Sequence, residues 1–275
     1  LGAPLSGNPK SLGAMSRETL LRYKARAYTP GSTVFAFAGR LDHEACVARV
    51  ERAVGGQPRR RGLDFMRVDG RVPQRRLSLT RKEIAQTHAV IGFRIFGRHD
   101  DRRYALRVLN GVLGENMSSR LFQSVRERRG LCYSINSGFQ LFEETGLFTV
   151  SGGFDARRTI AALKRTAQEM RRLIDAPVGA RELRRVKEYL QGTFRLGLEG
   201  VGNQMMFIGE SLLNYGRVVC PEETLAGIAA VTADDVQRVA EEVFEPSRLT
   251  LSLVVPNAQA ESEDEWMSSL GALFA

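Results

Sequence analysis

Apolar residues recur along this chain with two periods, and the switches between them predict its elements. Leu20, Tyr23 and Ala27 at helical spacing behind a Ser16 cap predict a helix that is broken at Tyr28-Thr29-Pro30-Gly31. Thr33 to Gly39 predicts a short buried strand, followed by a helix from about Asp42 to Val54. Strands are expected near Arg76 to Leu79 and over Thr87 to Phe96, then helices from about Asp101 to Leu113 and from Ser118. Two further strands, Tyr133 to Leu141 and Gly146 to Phe154, are joined by a hairpin connection through Glu143-Glu144-Thr145-Gly146. The stripes Ile160, Leu163, Ala167, Met170, Ile174 and Leu183, Val186, Leu190, Phe194 predict two core-facing amphipathic helices. A helix over Asn203 to Tyr215, one from Thr232, a strand at Leu249 to Val255 and a helix around Glu263 to Leu273 complete the pattern.

The stretch from Ser118 to Tyr133 combines a change of period with chemistry at both ends. Leu121, Phe122 and Val125 fall at helical spacing, the helix should stop at Gly130, and an extended run begins at Leu131. Arg126 near the helix end and Tyr133 at the strand start should then lie close together, a guanidinium and a phenol suited to a carbonyl or oxyanion. The local pattern leaves a plainer alternative open. Arg126 sits in an Arg-Glu-Arg-Arg run that would complement a helix dipole, and Tyr133 would serve as an ordinary strand residue.

The end of the chain repeats its beginning. Ser16 pairs with Thr232 and Pro30 with Pro246, an offset of 232 − 16 = 216 in both cases, each followed by a strand and a further helix. The second copy is preceded by its own strands and helices from Arg76 onward, whereas the first has no counterpart to them. The expected organisation is residues 1–57 as the C-terminal half of a first domain, a Gly/Pro/Arg-rich linker over 58–75, and a complete second domain over 76–275. A lone strand between two helices cannot form a sheet core by itself, so the first half must add to further chain, to a partner or to the second domain.

Composition narrows the chemistry. Hydrophobic residues make up 43% and charged residues 26%, an ordinary soluble globular balance, and no apolar run approaches the roughly 18 residues of a membrane span. The net charge of +9 is mostly arginine, with Lys10, Lys24, Lys82, Lys164 and Lys187 the only lysines; basic residues are scattered among Glu without interleaved aromatics, so no nucleic-acid partner is expected. Cys46, Cys132 and Cys220 are too few and too isolated for a disulfide framework, and His43 with Cys46 falls short of the three protein ligands a zinc site needs. No Walker, Gly-x-Gly-x-x-Gly or Gly-x-Ser-x-Gly motif is present, and Gly152-Gly153 reads as a strand end. Glu143, Glu144, Asp234 and Asp235 fall in a turn and a helix start, where acids are expected without catalysis. Leu1 follows no basic-then-apolar leader, so any targeting segment lies outside these residues.

Leu1-Gly-Ala-Pro-Leu-Ser-Gly, Tyr28-Thr-Pro, Phe37-Ala-Gly39 and Arg126-Glu-Arg-Arg-Gly-Leu-Cys-Tyr133 together resemble the insulinase/pitrilysin family of zinc metallopeptidases, within it the processing-peptidase branch. The resemblance spans essentially the whole chain. It implies an α+β fold of two homologous insulinase-type domains, each a mixed, largely antiparallel sheet backed by helices, the first present only as its C-terminal half. It implies that Arg126 and Tyr133 bind the substrate backbone and stabilise the oxyanion opposite a zinc site. The family's zinc motif, His-x-x-Glu-His with a more distant Glu, belongs to the front of the first domain and has no match here; the corresponding helix Tyr104-Ala-Leu-Arg-Val-Leu109 offers no ligand. The implied function is the C-terminal part of a processing-type zinc endopeptidase, inactive alone, with zinc in the complete enzyme or partner and none bound by this chain. Implied partners are a peptide or unfolded polypeptide and either an N-terminal peptidase half or a zinc-bearing subunit, a dimer being among the assemblies allowed. The alternative is a non-catalytic partner subunit or an assembly protein of the same fold. Bacterial cytoplasm and periplasm are both compatible.

Overall fold

A computed structural model describes residues 4–57, 62–68 and 77–273. Ten α-helices are seen among them: α1 (Pro9–Gly13), α2 (Arg17–Ala27), α3 (His43–Val54), α4 (Arg103–Leu113), α5 (Thr159–Asp175), α6 (Ala180–Gly197), α7 (Val201–Tyr215), α8 (Pro221–Ala230), α9 (Ala233–Val243) and α10 (Glu263–Ser268). Five strands, β1 (Leu77–Lys82), β2 (Gln86–Phe96), β3 (Cys132–Leu141), β4 (Thr145–Asp155) and β5 (Leu249–Pro256), form one mixed sheet in the order β1-β5-β2-β4-β3. Only the β1–β5 pair is parallel. This is the mixed, helix-backed α+β architecture that the resemblance implies.

The chain divides into two compact units, one comprising residues 1–67 with 198–218 and the other 68–197 with 219–275. The larger holds the whole sheet. Along β2, Thr87, Ala89, Ile91, Phe93 and Ile95 are buried while His88 and Val90 are exposed, because alternate side chains point to opposite faces. Phe148 and Val150 of β4 and Leu251 and Leu253 of β5 extend the buried face. Helices cover it: Leu106 and Leu109 of α4, Leu163, Ala167 and Met170 of α5, and Val236, Val239, Ala240 and Val243 of α9 are all buried. Phe244, just after α9, stands edge-on to both Phe93 and Phe148, with ring centroids 5.5 and 5.6 Å away.

The smaller unit contains α1 to α3 and α7, and no strand among its described residues. Residues 33–38 form neither helix nor strand, and Phe35 and Phe37 are half-exposed, so the buried strand expected over Thr33 to Gly39 is not formed here. The reason is that a strand is completed by a ladder partner, which the pattern of Val34, Phe35 and Phe37 cannot itself supply. Gly209 of α7 lies against this segment, where a Cβ would approach the Ala36 methyl to 3.2 Å.

Other boundaries shift modestly. The strand expected near Arg76 begins at Leu77, and Arg76 and most of the 58–75 linker lie outside the described residues. The chain adds α8, whose Pro221 start and acidic Glu222-Glu223 first turn are ordinary helix signals. The last helix is interrupted, α10 being followed by a separate 3₁₀ turn at Gly271–Leu273.

Candidate functional site

The chain from Ser118 to Tyr133 is built as a sequence of tight constraints. Leu121 and Val125 are fully buried, which anchors the segment as their helical spacing predicts. The helix itself differs from the expected α form: over Phe122–Glu127 it widens to a π-helix, with the Arg128 N–H donating to the Gln123 carbonyl five residues back at 3.1 Å. Within it the Arg126 guanidinium lies over the Phe122 ring, 4.7 Å from the centroid.

The stop falls where Gly130 predicts it. Gly130 adopts φ +56°, its N–H donates to the Arg126 carbonyl at 2.8 Å, and the Leu131 N–H donates to the Val125 carbonyl at 3.0 Å. The Gly130 bond is an αL closure, with the Leu131 bond reaching one residue further back into the π-turn, and it requires the left-handed residue that glycine supplies without a Cβ penalty. Arg158 adds a hydrogen bond to the Gly130 carbonyl at 3.2 Å.

β3 begins immediately with an irregularity. Cys132 pairs with Phe154 and Ser134 with Gly153, the next residue along β4, so Tyr133 is the extra residue of a bulge. Its side chain is 77% exposed. The bulge coincides with close strand approach: a Cβ on Gly152 would meet the Ser134 carbonyl oxygen at 2.8 Å and the Phe154 ring at 2.6 Å. Gly152 is thus a packing residue.

Arg126 and Tyr133 are presented from the two sides of this turn, and no hydrogen bond joins them in the structure. The guanidinium is nonetheless near the start of β3. Burial pushes the Cys132 thiol up to about 11, and Arg126 is the charge that opposes that rise. A cation and an exposed phenol are therefore placed at one helix-to-strand junction.

The acids set aside in the sequence have structural partners. Glu143 bonds His99 at 2.8 Å, Glu144 accepts the Val68 N–H at 2.9 Å, and Asp235 forms a capping box with Thr232 that holds its carboxyl below the usual range. Asp234 lies in the first turn of α9. His43 and Cys46 both lie on α3, and among the described residues no group of three or more His, Cys, Asp or Glu is placed to hold a metal. The residues described do not fit a zinc centre. None of the described helices is long and apolar enough to cross a membrane.

A feature that the linear pattern did not reveal is a cleft of about 790 Å³ between the π-turn, α5 and the start of α6, lined in part by Arg120, Arg128, Arg165, Arg172 and Arg185. Along the chain these arginines look like scattered solvated charge, and only the fold gathers them.

Comparison with known proteins places these features in context. Residues 14–190 match the family described as Peptidase M16 inactive domain. The chain is 36% identical over 267 residues to an uncharacterized zinc protease of Streptomyces coelicolor, covering 93% of this chain and 57% of that protein. It is 37% identical over 243 residues to an uncharacterized zinc protease of Mycobacterium tuberculosis, covering 87% of this chain and 56% of that one. It thus spans a little over half the length of these relatives. In fold it is similar to a peptidase M16 inactive domain from Pseudomonas fluorescens (TM-score 0.85, 20% identity, 94% of this chain and 62% of that one). A chain of complex III2 from Candida albicans is equally similar in fold (TM-score 0.85, 16% identity, 98% of this chain and 66% of that one).

Proposed function

Because the chain belongs to the M16 peptidase family through the domain described as inactive, we propose that it is the substrate-holding part of a zinc-dependent, processing-type endopeptidase. In this reading Arg126 and Tyr133 bind the backbone of a peptide or unfolded polypeptide and stabilise the oxyanion of the tetrahedral intermediate. The carrying observation is the junction itself: a π-turn closed by Gly130 presents a fixed cation, and the adjacent bulge turns the Tyr133 side chain out to solvent. Arg supplies a planar cationic fork and Tyr a hydroxyl donor. The two donors match a carbonyl whose oxygen gains charge during attack.

The described residues hold no metal cluster, so this chain is assigned no step in metal binding or water activation. Those roles fall to residues outside it, in the same polypeptide or on a zinc-bearing partner. The smaller unit supports such a complement: Phe35 and Phe37 are half-exposed on a segment without a strand partner among the described residues, the situation a neighbouring sheet would resolve. In the same reading, residues 1–57 are the C-terminal half of a first domain and 76–275 a complete second one, separated by the Gly/Pro/Arg-rich linker over 58–75. A homodimer and a partner subunit are the two assemblies that would supply the complement in trans.

A non-catalytic reading, as a partner subunit or assembly scaffold, is favoured by one observation: Arg126 stacks on Phe122 and does not bond Tyr133. Peptide hydrolysis by the complete protein with zinc separates the two. Arg126→Ala and Tyr133→Phe are each expected to lower kcat/KM on the order of 10²-fold, the scale of losing one oxyanion donor. Wild-type rates in both variants would remove the site assignment, and a wild type that cleaves no peptide would favour the scaffold.

A further inference from the structure

The arginine-lined cleft lies wholly within the larger compact unit, and its cations are held in place before any ligand arrives. Glu169, whose side chain is 4% exposed, bonds both Arg165 and Arg172 and so fixes two guanidiniums side by side on α5. Glu182 clamps Arg120 through bonds of 3.1 and 2.8 Å. Asp175, the remaining acid on the wall, is engaged by Arg171 at 2.7 Å. Arg128 and Arg185 line the same space without a carboxylate partner among the described residues, Arg185 being tethered to the Ser118 carbonyl at 3.3 Å. The local acids are therefore already committed, and the cleft keeps an excess of positive charge.

An independent observation concerns its neutral lining. Ser119 and Ser124, both more than nine-tenths buried, carry hydroxyls with no hydrogen-bond partner, and Nε of Arg165 is likewise buried without one. Buried polar groups are normally paired, so unsatisfied donors beside excess cations call for an acceptor. Burial first, against the opposing charge of Glu169, and then the neighbouring Arg129, Arg172 and Arg128, hold Arg165 below its ordinary value, and an incoming anion would offset the repulsion among these cations.

We propose that this cleft binds a small polyanion through two or more oxyanion groups, phosphate or carboxylate, gripped by guanidiniums from the π-turn, α5 and α6. Guanidinium forks match both groups bidentately. A cleft of about 790 Å³ is larger than a single phosphate needs and falls in the range of small-molecule sites.

The test is isothermal titration of the full-length protein with inorganic pyrophosphate and with citrate. Saturable one-to-one binding of at least one probe is expected, weakened about tenfold or more in the double variant R128Q/R185Q. The double variant R181Q/R184Q removes the same charge from exposed positions on α6 outside the cleft, and is expected to change affinity by no more than about twofold. Ser124→Ala, which removes one orphaned donor without altering charge, should weaken binding several-fold. Preference for pyrophosphate would assign phosphate chemistry, and preference for citrate would assign carboxylate chemistry. Absence of saturable binding by either probe would overturn the proposal. So would equal loss in R181Q/R184Q and R128Q/R185Q, since the attraction would then reflect only net charge.

Discussion

α2 and α9 have equal lengths, begin on hydroxyl caps at Ser16 and Thr232, and are followed by 3₁₀ turns at Pro30–Ser32 and Pro246–Arg248, so the offset of 233 − 17 = 216 persists through both elements. Their surroundings are opposite. α9 buries Val236, Val239, Ala240 and Val243, whereas α2 buries nothing. Past the turns, Leu251 and Leu253 sit in a central strand at 0% and 1% exposure, while their counterparts Phe35 and Phe37 are 50% and 48% exposed on a segment that pairs with nothing among the described residues. The same local pattern thus gives the same helix and turn in both copies, because caps and prolines act locally. It gives a strand only where neighbouring strands exist to receive it.

The comparison is sharpened most by core truncation. Leu251→Ala should destabilise the larger unit by about 2–5 kcal/mol, the cost of an emptied buried site. Phe35→Ala in this chain should stay within about 0.5 kcal/mol, as for other exposed positions. Denaturant unfolding of both variants measures the contrast, and in a protein where a further sheet covers Phe35 the second value should rise to about 3 kcal/mol or more. A large loss from Phe35→Ala without such a sheet would break the comparison.

The caps give a smaller contrast. Thr232→Ala removes a reciprocal capping box and should cost about 1 kcal/mol, while Ser16→Ala should cost a few tenths, because α2 has no packed face for the cap to support. Thermal melts of the two variants would show it.

The smallest effect concerns Cys132. Burial raises its thiol from an ordinary value of 9.0 to about 11, so the folded state holds the proton more tightly. The associated stability is fully present below pH 9.0 and is lost as the pH rises through about 11. Mass spectrometry after brief alkylation at pH 8 should find the exposed Cys220 modified ahead of Cys132. Faster reaction at Cys132 would mean that the Arg126 charge outweighs burial.

Much of the architecture was legible because its signals are local. Ser16 caps its helix as its side chain predicts, helices begin at Asp42 and Thr232 where the pattern starts them, Gly130 stops its helix in the left-handed region, and the strand over Thr87 to Phe96 is sorted between core and surface. The strand expected at Thr33 failed for want of a partner, a long-range fact. The π-turn was hidden because Leu121 and Val125 fit α and π spacing alike, and only the Arg128-to-Gln123 bond separates the two. The bulge at Tyr133 depends on pairing with β4, and the cleft on three elements meeting, so neither is visible in the linear order. The resemblance in Arg126 to Tyr133 pointed to the junction without describing how the fold presents it.

The central claim is that Arg126 and Tyr133 act on an oxyanion, beyond general peptide binding. The most direct measurement is the affinity of the complete enzyme, as wild type and Tyr133→Phe, for a tetrahedral phosphinic peptide and for the matched uncleaved peptide. The account predicts that the variant weakens the tetrahedral mimic about tenfold or more beyond its effect on the peptide, because the phenol bonds more strongly to developing negative charge. Equal loss for both ligands, or no loss for either, would contradict it.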